Sequence, residues 1–413
     1  MLKISHYLKD NLVMFISGSM AGLFNLLYQL LMLRTLPIKV YGELNSLLSL
    51  FLIVALPFTS FTTMVARFIS KFNAQGEYMN LKVFLATILR HSFILGIGVF
   101  ILTNLLTPIL AFSLQLDSTL PIIFLAIILF LSTIIPVLSG GLQGLEKFAW
   151  LAGATTVSGF FKISLAFIFL ILSLKSLSAA LGVIIISLLF ALLISVWPLK
   201  EYIFKIEKES YVELKEAYSY LLPTFSTLLC FSLLTNIDIV LVKHFFSPIL
   251  AGTYSIAQII GKIILFLPGT VSLVMFPRTS FLHTQSKDTL HTLKRSLIYA
   301  VALCAFSVII FNISPQQILN IITKKAGTDY VILARLFSIC MAFFALGGIL
   351  LFYQLSINNF KFMKFLINLT IFQILAVTIF SIFYKSLFIV LIILCVDSFI
   401  LFIANFRSAF ERT

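Results

Sequence analysis

The sequence has little charge. Of its 413 residues only 11% are Asp, Glu, Lys or Arg, and 61% are hydrophobic. No soluble domain keeps so few charges on its surface. Period-two alternation of apolar and polar residues is absent, which excludes an outer-membrane barrel. Cysteine is scarce: Cys230, Cys304, Cys340 and Cys395 lie inside apolar runs at irregular separations. That pattern fits small core residues rather than disulfides or a metal site. The five histidines, His6, His91, His244, His283 and His291, fall near the ends of apolar runs or between them. No metal-ligand spacing and no Gly-rich phosphate loop occurs. The longest polar segment, residues 200–216, is too short for a catalytic domain. No catalytic residue, metal or cofactor is therefore expected, and the chain is not read as an enzyme. No small-residue cleavage site follows a short apolar core, so the first apolar segment reads as an uncleaved anchor.

Acids are also few, 15 against 29 Lys and Arg, for a net charge of +14. The cations are scattered singly and make no stripe beside exposed aromatics, so nucleic acid is not an expected partner. Their distribution across a membrane is the useful test.

What is present is a series of long apolar runs. Uncharged stretches at 44–66, 118–145, 176–199, 296–323 and 336–360 each exceed the ~20 residues that a helix needs to cross hydrocarbon. Twelve spans are predicted, at about 11–36, 42–70, 83–106, 118–139, 148–172, 178–198, 217–242, 248–276, 293–313, 329–356, 363–383 and 387–406. Polar loops are expected at 71–82 and 277–292, with a short surface helix at 314–325 behind Ser314-Pro315. The fold class is thus an all-α polytopic membrane protein. Its expected halves are residues 1–199 and 217–413, joined by the charged connector 200–216. With the N-terminus inside, eighteen basic residues fall inside and eight outside, Lys39, Lys175, Lys243 and Lys324 among the latter. The bias places both termini in the cytoplasm. Trp150 and Trp197 fall at inner span ends, as an interfacial aromatic belt expects.

The stretch from Gly18 to Lys71, two apolar segments joined by an elbow at 33–45, organises the chain. A degraded copy returns later. Gly42 falls on Gly252, Asn45 on Ser255, Pro57 on Pro268, Arg67 on Arg278, Gln143 on Gln354, and Lys147-Phe148 on Lys361-Phe362. The matches run in order with offsets of only 210 to 214. Internal duplication of this kind builds many transporter folds, and it predicts two pseudo-symmetric six-helix lobes.

The run from Gly18 through Asn25, Tyr28, Arg34-Thr35-Leu36-Pro37 and Tyr41-Gly42-Glu43-Leu44 resembles the opening of the Wzx-type oligosaccharide-lipid flippases. So do Pro57 with Val65-Ala66-Arg67-Phe68, and Leu142-Gln143-Gly144. These proteins share a superfamily with multidrug-and-toxin exporters and the peptidoglycan-precursor flippase. Length, duplication and charged connector match over essentially the whole chain, while the motifs are loose and family-level. The resemblance implies two lobes around a central cavity in a bacterial or archaeal cytoplasmic membrane. It also implies export of a polyprenyl-diphosphate-linked glycan for surface polysaccharide, O-antigen among the candidates. Membrane lipids, a glycan polymerase and other assembly proteins would be the further partners.

Polar residues inside spans are costly in hydrocarbon and should face a cavity or a partner. On the first span Gly18, Gly22, Asn25 and Gln29 share a face, which fits either a small-residue helix contact or cavity lining. On the eighth, Ser255, Gln258 and Lys262 share a face. Lys162 sits as deep in the fifth span, and both lysines read as cavity cations rather than snorkelling ones. Asp238 and Asp397 each fit coupling-ion binding or pairing with a buried lysine. Arg90 is placed to meet a diphosphate or lipid head group. Arg34 and Arg335 fit snorkelling at outer ends. Arg67 and Arg278 fit positive-inside topology, with gating as the alternative.

The expected mechanism is alternating access, with cations such as Lys162 and Lys262 holding the diphosphate. A multidrug or organic-cation exporter on the same scaffold is the main alternative, and its cavity should be acidic or aromatic. A membrane-embedded glycan polymerase is the second.

Overall fold

A computed structural model describes residues 2–172, 176–204, 214–266, 268–285, 287–323 and 328–410. Lys175, Lys205, Lys208, Lys324, Lys325, Arg412 and most of the 200–216 connector lie outside the described residues. Among the described residues there is no strand. The helices are α1 (Leu2–Thr35), α2 (Ile38–Gln75), α3 (Tyr78–Leu105), α4 (Thr107–Ser113), α5 (Leu120–Gly144), α6 (Phe148–Ile171), α7 (Leu177–Val196), α8 (Lys200–Phe204), α9 (Lys215–Phe245), α10 (Pro248–Phe266), α11 (Gly269–Thr284), α12 (Leu290–Ile313), α13 (Pro315–Thr323), α14 (Thr328–Ser356), α15 (Met363–Tyr384) and α16 (Leu387–Phe410). Among the described residues, twelve segments are long and apolar enough to cross a membrane. They correspond one for one to the twelve spans read from the sequence.

The loops differ from expectation. Residues 71–75 continue α2, and the chain reverses only at Gly76, whose φ of +73° suits a residue without Cβ. Residues 277–284 likewise continue α11. Polar composition marks where a helix leaves hydrocarbon, not where it ends. The short helix α13 lies where Ser314-Pro315 predicts one, and α4 follows α3 in the same way without having been anticipated. The predicted eighth span is divided. α10 stops at Phe266, and α11 starts after Pro268. α2, in contrast, runs unbroken through Pro57. Pro268 is followed by Gly269 and Pro57 by Phe58, so only the former site combines two helix breakers.

Contacts divide the chain into two compact units. Unit 1 is Met1–Leu36 with Phe51–Leu228, and unit 2 is Pro37–Leu50 with Leu229–Thr413. These differ from the expected halves because α2 and α9 each belong partly to both. In unit 1, Phe58, Met64, Val65 and Phe68 of α2 pack with Phe84, Leu85 and Ile88 of α3 and with Val137, Leu138 and Leu142 of α5. α2 and α5 approach closely: a Cβ on Gly140 would lie 2.7 Å from the Thr62 carbonyl oxygen, and one on Gly144 2.6 Å from Ile69 Cβ. In unit 2, α14 packs against α10, α11, α12 and α16. All four cysteines are free; Cys230, Cys304 and Cys340 are buried.

Candidate functional site

Unit 2 holds a buried polar network built on three helices. On α10, Tyr254, Gln258 and Lys262 recur every fourth residue and so share one face. On α2, Asn45 and Ser49 do the same. The two ladders meet rung by rung. Asn45 Nδ2 donates to Gln258 Oε1 (2.8 Å), and Lys262 Nζ donates to Ser49 Oγ (3.0 Å). From α9, Asp238 takes the remaining donors: Tyr254 OH donates to Oδ2 (2.8 Å) and Gln258 Nε2 to Oδ2 (2.9 Å). Asn45, Ser49, Asp238, Tyr254, Gln258 and Lys262 are all buried. Gln373 of α15 donates to the Leu234 carbonyl (2.9 Å), one turn before Asp238, and so holds α9 in place.

The ladders can meet because the helix backbones nearly touch beside them. Gly42 and Gly252 face each other, and a Cβ on Gly42 would stand 3.1 Å from Gly252 Cα. On the next residue of α2, Glu43 forms an ion pair with Lys243 of α9 (3.8 Å), and both side chains are buried. The sequence count had set Lys243 among the outside loop cations. It lies instead in the last turn of α9, drawn inward by Glu43.

The candidate lysines thus have different surroundings. Lys262 is enclosed and bonded to Ser49; among the described residues no ion pair within 4 Å joins it to Asp238 or Asp397. Lys162, in unit 1, is half-buried. Its Nζ donates to Asn25 Oδ1 (2.7 Å) and lies 5.6 Å from the centre of the Tyr28 ring. Tyr28 is itself fixed, donating to the Ala180 carbonyl (2.9 Å). Gly18, Gly22 and Asn25 are exposed, Gln29 is half-buried, and a Cβ on Gly18 or Gly22 would meet nothing within 4 Å. The first-span face is therefore not a small-residue packing seam in this structure.

Asp397 on α16 is not brought into the network. It is fully buried, and neither carboxyl oxygen has a hydrogen-bond donor among the described residues. Arg34, Arg90, Arg278 and Arg335 are exposed. The Arg67 guanidinium stands over the Tyr220 ring at 5.3 Å. Sequence reasoning found one face of α10 but missed Tyr254, Asn45, Ser49 and the Glu43–Lys243 pair. The available signal was isolation: Glu43 is the only acid between Asp10 and Glu77, and Asp238 the only one between Glu216 and Asp288.

The network predicts a ranking of stabilities. Tyr254→Phe removes one donor from Asp238 and is expected to cost about 2 kcal/mol. Gln258→Leu strands Asn45 and removes another Asp238 donor together, so it should cost more than ~3 kcal/mol. Thermal unfolding of the two purified variants checks the order, and equal melting temperatures would refute the shared network.

No family model matches the sequence, and no curated protein does. Solved structures do resemble the fold. An inward-facing multidrug resistance MATE family transporter of the MOP superfamily aligns with TM-score 0.76 and 16% identity, over 95% of this chain and 94% of that one. The eukaryotic MATE transporter AtDTX14 aligns with TM-score 0.72 and 14% identity, over 98% and 99%. A MOP superfamily transporter from Pyrococcus furiosus, described as having a binding pocket of reverse polarity, aligns with TM-score 0.68 and 16% identity, over 97% and 94%. The chain is a multi-pass membrane protein with a two-lobed, MATE-like fold.

Proposed function

We propose that this chain is a secondary transporter that exports its substrate by alternating access of its two lobes. The support is the MATE-like fold over nearly the full length of both chains. The neighbours' multidrug transport favours organic cations or drugs as the substrate class. The coupling ion would be taken at Asp397. A buried carboxyl without donors in a membrane span needs a proton or cation to be neutral, whereas Asp238 already has three donor contacts. Asp397→Asn is expected to abolish ion-driven transport while leaving the protein in the membrane.

The second reading is a flippase for polyprenyl-diphosphate-linked oligosaccharide in surface polysaccharide synthesis. One observation favours it: the charge at the exposed face of α1 and α6 is the cation Lys162, whereas Glu43, Asp238 and Asp397 are all buried. An anionic diphosphate suits a lysine, and an organic cation does not. The Pyrococcus furiosus neighbour, whose pocket of reverse polarity is described as suggesting a different function, is consistent with pocket charge varying on this fold.

Proteoliposomes separate the two. Under an imposed proton or sodium gradient, efflux of a fluorescent organic cation supports the first reading. Transfer of a lipid-linked oligosaccharide between leaflets, without change in glycan length, supports the second. Lys162→Gln is expected to leave cation efflux within about twofold and to reduce glycan-lipid transfer at least tenfold, about 1.4 kcal/mol of lost charge-assisted binding. Equal loss of both activities would remove the argument from Lys162.

A further inference from the structure

Unit 1 contains an apolar groove of about 290 Å³ lined by Phe61, Leu95, Tyr218, Leu221, Leu222 and Phe225. It is open, since the Leu222 side chain is 69% exposed. Its lining runs along α9 at Tyr218, Leu222 and Phe225, one face of that helix. One end is polar. There His91 Nδ1 lies 2.7 Å from Tyr218 OH. With Tyr218 donating to Nδ1, the ring carries its proton on Nε2, available to an acceptor outside. Arg90, next to His91, is exposed, and Arg67 stands over the neighbouring Tyr220. Lys71 pairs with Glu216 at 3.5 Å. Among these described residues, the cations Arg67, Lys71 and Arg90 outnumber the acid Glu216.

Depth matches polarity. α9 begins at Lys215, one turn before Tyr218. Phe225 lies seven residues further, roughly 10 Å deeper at the helical rise. The groove is polar where α9 starts and apolar where it is deep. A helix about 10 Å across would not fit in a cavity this small, whereas one hydrocarbon chain does.

We propose that this groove is a binding site for an anionic phospholipid, with one acyl chain against Leu222 and Phe225 and the phosphate accepting from His91 Nε2 and Arg90. Of the two expectations for Arg90, a diphosphate or a lipid head group, this takes the second, with a resident membrane lipid rather than a transported one as the occupant. The apolar wall holds the tail, and the cations select the charged head over a neutral one.

The test uses the purified full-length chain in detergent, with lipid retention read by native mass spectrometry. Dioleoylphosphatidylglycerol is the probe. Dioleoylglycerol, which has the same tails and no phosphate, and inorganic phosphate alone are the other arms. One phosphatidylglycerol should be retained, at least fivefold more tightly than dioleoylglycerol. Arg90→Gln and His91→Ala should each weaken it about fivefold, as loss of one interfacial charge or donor does. Leu222→Asp should weaken it too, by closing the apolar wall to a tail. Arg90 and Leu222 are exposed, so these variants should fold, and Leu222→Ala serves as a milder version. Equal retention of phosphatidylglycerol and dioleoylglycerol would overturn the proposal. So would inorganic phosphate binding as tightly as the lipid, retention indifferent to all the variants, or a dimer that Leu222→Asp dissolves.

Discussion

Gly252→Ala is expected to cost about 3 kcal/mol or more and to leave little folded protein in the membrane. A Cβ at this position would run into Ile38 Cγ2 and fall 2.6 Å from the Ile38 carbonyl oxygen. The first contact is with a β-branched side chain, whose rotamer is restricted. The second is with backbone, which cannot move without shifting α2. Overpacking of this kind commonly costs 1–3 kcal/mol, and more where backbone is the obstacle. Gly42→Ala is expected to be milder, roughly 1–2 kcal/mol, because its Cβ would approach Gly252 Cα and N at 3.1 Å. Gly18→Ala, with nothing within 4 Å of its Cβ, should be neutral or gain up to about 1 kcal/mol from helix propensity.

The order of these three effects bears on the candidate site as well as on stability. The spacing that Gly42 and Gly252 allow is what lets Asn45 reach Gln258 and Ser49 reach Lys262. Adding Ile38→Ala to Gly252→Ala should restore the protein only in part, because it removes the Cγ2 clash and leaves the carbonyl. Membrane-inserted yield and melting temperature are the measurements. Gly252→Ala with normal yield and melting would mean that the two helices do not approach as described.

The spans were legible because hydrophobicity and length are local properties. α13 was legible because Ser314-Pro315 is a local start signal. α4 was not, because Thr107–Ser113 is apolar and merges with the run before it. The division of α10 from α11 needed the comparison of Pro268-Gly269 with Pro57-Phe58, which a shared proline conceals. At the site, helical spacing singled out Gln258 and Lys262 correctly as one face of α10. It could not supply what lies opposite, since Asn45 and Ser49 are more than two hundred residues away. The same spacing put Ser255 on that face. Ser255 Oγ instead bonds back to the Ala251 carbonyl (2.8 Å), a local alternative that hydroxyls often take in helices. For Lys162 the sequence put the charge within a span, and the structure supplies Asn25 and Tyr28 as its company. Gly42 and Gly252, matched as repeat mates, lie in direct contact, an arrangement that no pattern along a single strand of sequence specifies.

The second large effect concerns Glu43 and Lys243. Each is buried, and their charged atoms are 3.8 Å apart. Removing one partner takes the facing opposite charge from the other in a medium of low dielectric, and breaking a buried pair in this way typically costs 3–5 kcal/mol. Lys243→Met and Glu43→Gln are each expected to lose that much, seen as a collapse of melting temperature and membrane yield. The double variant should recover most of it. Replacing a buried ion pair with groups that need no charge partner is often neutral, because the desolvation of two ions is avoided along with their attraction. The thermodynamic cycle should therefore show a coupling of about 2–4 kcal/mol. Melting of the unmodified protein should also change little between low and high salt, since a buried pair is screened far less than a surface one. Additive losses in the double variant would show that the two residues act separately, each through its own neighbours, and that the pair does not hold α2 to α9 within unit 2.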